Sequence, residues 1–298
     1  PGQQDARDII RHAAAADERN WKVASSYECT ERVDDRRLDA QGQLKSKDVA
    51  SFEVVLLDGS PYRRLAGRND LPLPPKDEST QQKMVAAAIA ARHKENAEQR
   101  ARRVSVYMRR PDWQREAWRV LPDAFDFRIA REEVWNGKRV FVIEAVPRPG
   151  YKPQTRTAKV FAHLRATLWI HNEDYHVAKA EVEVIDTVAV GLVLVRLARG
   201  ARALLEQTRV NDEVWMLRRV HFTASVRLGL LTVRHMEQEI LYSGCRQPSN
   251  GRLDGTSRLT PVFAPVPRRQ RARLAQRVHS VTVLPVAADR KVAMHELG

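Results

Sequence analysis

Val220-His221-Phe222-Thr223-Ala224-Ser225-Val226-Arg227-Leu228 alternates apolar and polar side chains without a break. A period of two places Val220, Phe222, Ala224, Val226 and Leu228 on one face of a strand. His221, Thr223, Ser225 and Arg227 fall on the other. The stretch predicts a β-strand with one covered face and one wet face. His176–Ile185 repeats the pattern, with His176, Ala178, Ala180, Val182 and Val184 opposing Val177, Lys179, Glu181, Glu183 and Ile185. Nearly everything between Ala166 and Tyr242 reads the same way. The expected strands there are Ala166–Ile170, His176–Ile185, Gly191–Leu197, Arg202–Val210, Val214–Leu228 and Leu231–Tyr242.

The first half extends the series. Val23–Val33 and Leu44–Leu57 alternate, the latter with Phe52, Val54 and Leu56 on one face. Asp39-Ala40-Gln41-Gly42 and Asp58-Gly59-Ser60-Pro61 are turn signals, so a third strand follows at Tyr62 and the group reads as an antiparallel meander. Asn136-Gly137 joins Phe125–Glu133 to Arg139–Val146, because Asn-Gly suits the tight hairpin turn. About ten or eleven antiparallel strands result, too many to stay flat, so the sheet curls into a barrel, half-barrel or sandwich.

Helices are few. Ile9, Ile10, Ala13 and Ala14 give Asp5–Lys22 an apolar side at helical spacing. From Ser79 to Met108 neither Gly nor Pro occurs, and good helix formers dominate. That stretch predicts a long helix or helix pair, anchored early by Met84, Ala88 and Ala91 and solvated past Arg92. Pro111 opens a linking segment with Trp113 and Trp118, and Thr155–Leu164 is a short helix candidate. The fold class is mainly β (α+β), with the amino-terminal helix and the Ser79–Met108 helices expected over the concave face.

The chain has 298 residues, 43% hydrophobic and 30% charged, with a formal charge of +14. Ser249–Gly298 holds nine Lys/Arg and three Asp/Glu, and so supplies +6 of that charge. The expected division is a strand-rich domain over 1–248, with a helical insertion at about 76–110, and a basic, poorly ordered tail over 249–298. The body is then only mildly basic, and its cations are interleaved with acids, as in Arg115-Glu116 and Arg131-Glu132-Glu133. No nucleic-acid-binding pattern appears, which argues against that partner. A basic exterior also suits an anionic membrane surface. The longest apolar run, Val188–Leu197, falls well short of the roughly 20 residues of a membrane-spanning helix.

Chemistry-bearing motifs are scarce. The nine histidines include no His-x-x-x-His pair. Nucleophile-elbow and glycine-rich phosphate-loop patterns do not occur, and the carboxylates are scattered. The reading is non-enzymatic, with no metal and no cofactor. The two cysteines, Cys29 and Cys245, are too few for a disulfide scaffold, and their residue types alone fit one bridge or two separate thiols equally. Trp135, Trp169 and Trp215 lie in or beside strands, where indoles serve packing more often than ligands. A large curved apolar face nevertheless either fills with side chains and helices or keeps a cavity for an apolar ligand.

Several short pieces carry a family likeness. Asp58-Gly59-Ser60-Pro61-Tyr62-Arg63-Arg64-Leu65 resembles a G-x-P-Y-x-R-L hairpin of secreted bacterial proteins with the LolA/LolB-like lipoprotein-carrier fold. Trp135-Asn136-Gly137-Lys138-Arg139-Val140, Pro147–Pro153, Leu168-Trp169-Ile170 and Glu213–Leu217 point the same way. The resemblance spans Arg7–Arg246. It implies an unclosed, strongly curved sheet plugged by helices, an envelope or periplasmic location in a Gram-negative bacterium after leader removal, and a cavity that shelters lipid or lipoprotein acyl chains. No motif aligns position by position, so the expected lining comes from the strand pattern: Phe52, Val54, Leu56, Trp135, Trp169, Val182, Trp215 and Phe222. In the oxidising compartment that the resemblance implies, a Cys29–Cys245 bridge would tie the first strand to the last. The alternative is an envelope protein–protein interaction module with a filled core.

Overall fold

The computed structural model describes residues 5–109, 112–189, 195–228 and 232–248. The chain divides into two units, Pro1–Pro261 and Val262–Gly298, and the second lies outside the described residues. So does the expected tail from residue 249 onward. Every described residue belongs to the first unit.

Helix α1 (Ala6–Ala24) opens the chain. Asp5 caps it, its carboxylate accepting the Arg7 N–H at 3.1 Å. Strands β1 (Glu28–Leu38), β2 (Leu44–Leu57), β3 (Ser60–Arg68) and the two-residue β4 (Leu71–Pro72) form a meander. Helices α2 (Pro75–His93), α3 (Ala97–Met108) and α4 (Asp112–Ala124) follow. Then come β5 (Phe125–Trp135), β6 (Lys138–Pro147), the short α5 (Arg156–Phe161), β7 (Leu164–His171) and β8 (Val177–Val184). Two short strands, β9 (Val188–Ala189) and β10 (Val195–Leu197), precede β11 (Arg202–Val210), β12 (Val214–Leu228) and β13 (Thr232–Arg246).

The strands pair antiparallel in the order β4-β3-β2-β1-β13-β12-β11-β8-β7-β6-β5, with β10 and β9 added at the side. The path does not return on itself, so the sheet is open and curved, with β4 and β5 as its ends. The first and last strands in the sequence therefore meet inside the sheet, where β1 lies between β2 and β13. Turn chemistry sets the register. Asp58-Gly59 and Asn136-Gly137 both have positive φ at both positions, the type I′ geometry that matches strand twist. Gly59 is fixed for a second reason: a Cβ there would sit 3.2 Å from Val104 Cγ2 of α3.

One face of the sheet is covered by helices. The α1 stripe Ala6, Ile9, Ile10 and Ala13 packs on Phe141, Ile143, Leu168 and Ile170. Val120 and Ala124 of α4 and Ala158 of α5 pack on Phe125 and Ala145 beside them. The segment expected as a linker from Pro111 is thus largely helix. Ala117, Trp118, Val120, Leu121 and Ala124 give it a helical stripe, and Pro122 sits in its last turn, where the helix is ending anyway. Arg148 closes that end, its guanidinium reaching the Pro122 and Phe125 carbonyls at 3.3 and 3.1 Å.

The expected long helix is a pair. It breaks at Lys94–Asn96, where Asn96 and Gln99 form a reciprocal capping box. Its placement differs from expectation. Arg64, on the face of β3 opposite to Arg63, bonds Glu53 and Glu78 of α2. Arg92 donates to the Leu57, Ser60 and Pro61 carbonyls at 2.5, 3.0 and 3.2 Å. Polar anchors thus hold α2 on the outer face of the β2–β3 hairpin. The amphipathic helices took the inner face because α2 has no apolar stripe to bury, and none of its residues is buried.

Candidate functional site

A cavity of about 500 Å³ lies between the helix-covered face and the helices. Its sheet wall is a row of side chains that the register brings level. Leu164, Ala166 and Leu168 of β7 pair with Val184, Val182 and Ala180 of β8, and Ala180 pairs onward with Leu205 of β11. Ala166 and Ala180 on central strands leave the space that larger residues would fill. Cys29 of β1 lies opposite Val54 of β2 and joins this wall, as does Tyr242 of β13. Trp21 of α1, Tyr107 of α3 and Trp118 and Leu121 of α4 close it from the helix side.

Several polar atoms of this wall are already engaged. Trp118 Nε1 donates to Asp17 Oδ2 at 2.5 Å, and Trp21 Nε1 to the Met108 carbonyl at 3.1 Å. Tyr107 donates to the Ser25 carbonyl at 2.8 Å, and Tyr27 to Glu213 Oε2 at 2.9 Å. Burial raises the Tyr107 phenol above its usual range, and burial together with the nearby Glu31 carboxylate raises Tyr242 well above it. Both stay neutral at any physiological pH. Asp17 is the one ionisable carboxylate among the described lining residues, which include no Lys, Arg or His.

Trp215 lines the cavity and is held from several sides. Asn20 of α1 accepts its backbone N–H at 2.8 Å and donates to its carbonyl at 2.7 Å. Its indole N–H donates to Asp174 Oδ2 at 3.1 Å. His176 stacks on the ring at 5.7 Å between centroids, and His171 lies tilted at 4.7 Å. Burial lowers the His171 pKa, so the ring is neutral at pH 7. Burial opposes the Asp174 charge, yet hydrogen bonds from His176 and Trp215 outweigh it and hold Asp174 far below the usual carboxylate range.

Among the expected lining residues, Val54, Val182 and Trp215 are in the wall. The other five are elsewhere. Phe52 shares the face of Val54 but is covered by the Arg63 guanidinium, 3.2 Å above its ring, which Glu31 holds at 2.7 Å. Leu56 also shares that face, past the cavity, where its N–H donates to Glu28 Oε1 at 2.7 Å. Phe222 is buried away from it, opposite Ala203 and Gln238. Trp135 and Trp169 lie on the outer face, packed with Val140 and Val142. There Lys179 stands 4.2 Å from the Trp169 ring centroid, and Trp169 donates to Glu133 at 2.7 Å. The residues missed were Trp21, Trp118, Leu164, Ala166, Leu168, Ala180 and Leu205. Parity with Val182 identifies Ala180 in the sequence alone, and Trp118 belongs to the apolar stripe of α4 that Pro111 and Pro122 disguise.

Cys29 and Cys245 are joined by a disulfide across the β1–β13 pair. The register slips there between Glu28 and Thr30, and Gly244, at φ 59°, takes up the extra residue. Among the described residues no cluster of side chains is arranged to hold a metal ion. No described helix is long and apolar enough to cross a membrane.

No family model matches the chain. No curated protein matches it either. Solved structures do. A putative outer membrane lipoprotein-sorting protein domain from Vibrio parahaemolyticus matches at 12% identity and TM-score 0.36, over 85% of this chain and 97% of that one. A LolA superfamily protein from Nitrosomonas europaea matches at 11% identity and TM-score 0.30, over 83% and 95%. The Pseudomonas aeruginosa MucA/MucB complex matches at 10% identity and TM-score 0.25, over 83% and 100%.

Proposed function

We propose that this chain is a non-enzymatic envelope protein that holds an acyl chain of a lipid or lipid-modified protein in the cavity under α1 and α4. The cavity carries the reading: about 500 Å³ walled by Leu, Ala, Val, Trp and Phe side chains, within the size range of small-molecule sites. A filled core, which an interaction module would have, is the less favoured reading for that reason.

The energetics set the ligand. Each methylene taken from water is worth roughly 0.8 kcal/mol. Association costs at least about 4 kcal/mol in lost translation and rotation. A ten-methylene chain therefore nets roughly 4 kcal/mol, about millimolar affinity, and a sixteen-methylene chain roughly 9 kcal/mol, micromolar or better. Long acyl chains are favoured over short ones. The lining also disfavours a buried anion, since its charge is Asp17 and its tyrosines are neutral. The ligand's polar end belongs outside the cavity, in water.

Displacement of an environment-sensitive fluorescent acyl ester tests the proposal. Competition that strengthens with chain length supports it, and no saturable binding of any long-chain ester sinks it.

A further inference from the structure

The C-terminal ends of α1 and α3 meet at the cavity's edge. Trp21 Nε1 reaches the Met108 carbonyl at 3.1 Å, and Tyr107 reaches the Ser25 carbonyl at 2.8 Å. Trp21 and Tyr107 both line the cavity, and the Trp21–Met108 bond is itself exposed, so this junction lies between the cavity and solvent. Two apolar side chains stand out into solvent beside it, Val106 at 52% and Met108 at 43% exposure. Arg19 and Lys22 near the end of α1, Arg102 on α3 and Arg109 just past it, and Arg115 and Arg119 on α4 are exposed. Asp17 and Glu18 on α1 and Asp112 and Glu116 on α4 are the acids on the same turns, so the six cations outnumber them and this edge is net positive.

We infer that this edge is a docking surface for an anionic lipid bilayer, through which acyl chains enter or leave the cavity. Exposed apolar tips among cations are the chemistry of an interfacial membrane contact. The apolar residues enter the headgroup boundary, and each cation near the surface adds roughly fivefold to binding. The cations and the two exposed apolar side chains together call for a partner that is anionic at its face and apolar beneath it. A bilayer meets both demands and is also the source of the ligand. The inference rests on the acyl-binding reading, because it explains how the cavity is filled.

The test is sedimentation of the full chain with vesicles of phosphatidylcholine alone and of 70:30 phosphatidylcholine and phosphatidylglycerol. The wild type should partition to the anionic vesicles, with binding that falls as salt rises. Arg19→Glu with Lys22→Glu should reduce that partition at least twentyfold, and Val106→Asp with Met108→Asp should nearly abolish it. Arg19→Lys with Lys22→Arg should keep it, which separates charge from folding damage. In all variants the dissolved fluorescent acyl ester should still bind, since no altered side chain lines the cavity. If the reversed variants sediment like the wild type, including by way of the basic residues past 249, the docking inference is overturned while ester binding still supports the cavity. If the ester fails to bind the wild type, the acyl reading falls first.

Discussion

Ala180→Phe gives the sharpest test of where a ligand sits. Ala180 lies on β8 between Leu168 of β7 and Leu205 of β11, with its methyl group in the cavity wall. A phenyl ring there projects into space that the wild type leaves open. It displaces about four methylenes of a bound chain, worth roughly 3 kcal/mol at 0.8 kcal/mol each. Affinity for a sixteen-carbon ester should fall by about two orders of magnitude. Stability should hold or rise, because the ring covers apolar surface without displacing protein atoms. A ring forced into a packed core would instead cost about 1–3 kcal/mol. The assay is ester displacement alongside urea unfolding of the same sample. Trp169→Phe, on the outer face, serves as control and should leave affinity unchanged. An Ala180→Phe protein that binds normally would show that the ligand sits elsewhere. One destabilised by several kcal/mol would show that the space is filled.

Other outcomes rest on the same geometry. The ionised long-chain acid should bind about as tightly as its methyl ester at pH 8, because the headgroup stays in water; an acid more than about tenfold weaker would place the headgroup inside the cavity. Asn20→Ala removes both hydrogen bonds between α1 and Trp215 and should cost about 1–3 kcal/mol in urea unfolding. Replacing Cys29 and Cys245 with Ser opens a loop spanning 216 positions. In the chain-entropy account this costs roughly 5 kcal/mol, so Tm should fall by about 10–20 °C, and a shift under about 3 °C would refute that account. His171 has a folded pKa below its unfolded 6.5, so the unfolded state binds more protons and acid favours unfolding. Its contribution should be present above about pH 6.5 and be lost as pH falls below that; His171→Phe should flatten the urea midpoint between pH 7 and 5. Asp174 adds a second loss beginning near its unfolded pKa, about 3.8, and extending lower.

Most of the sheet was legible in the sequence because edge-distant strands such as β12 keep one polar face, so Val220 to Leu228 alternates cleanly. The hairpin turns were legible for a similar reason: Asn136-Gly137 and Asp58-Gly59 adopt a backbone few other residues tolerate. The cavity was harder. Leu168, Trp169, Ile170 and His171 of β7 are all buried, so the strand has no polar face to reveal which side is inner. Choosing the side by its tryptophan picked the outer face, where Lys179 and Glu133 satisfy the indole. The α4 helix was hidden by Pro111 and Pro122, which bracket its apolar stripe and read as linker. The position of α2 was hidden because arginine–carbonyl and arginine–carboxylate anchors leave no periodic signature.

Anomalous diffraction from crystals grown with a long-chain ester brominated midway along its chain tests the central claim most directly. The account places the bromine peak between Trp118, Leu168 and Leu205, under α1 and α4. A peak on the outer face near Trp135 and Trp169, or an ordered cavity with no peak at saturating ester, would contradict it.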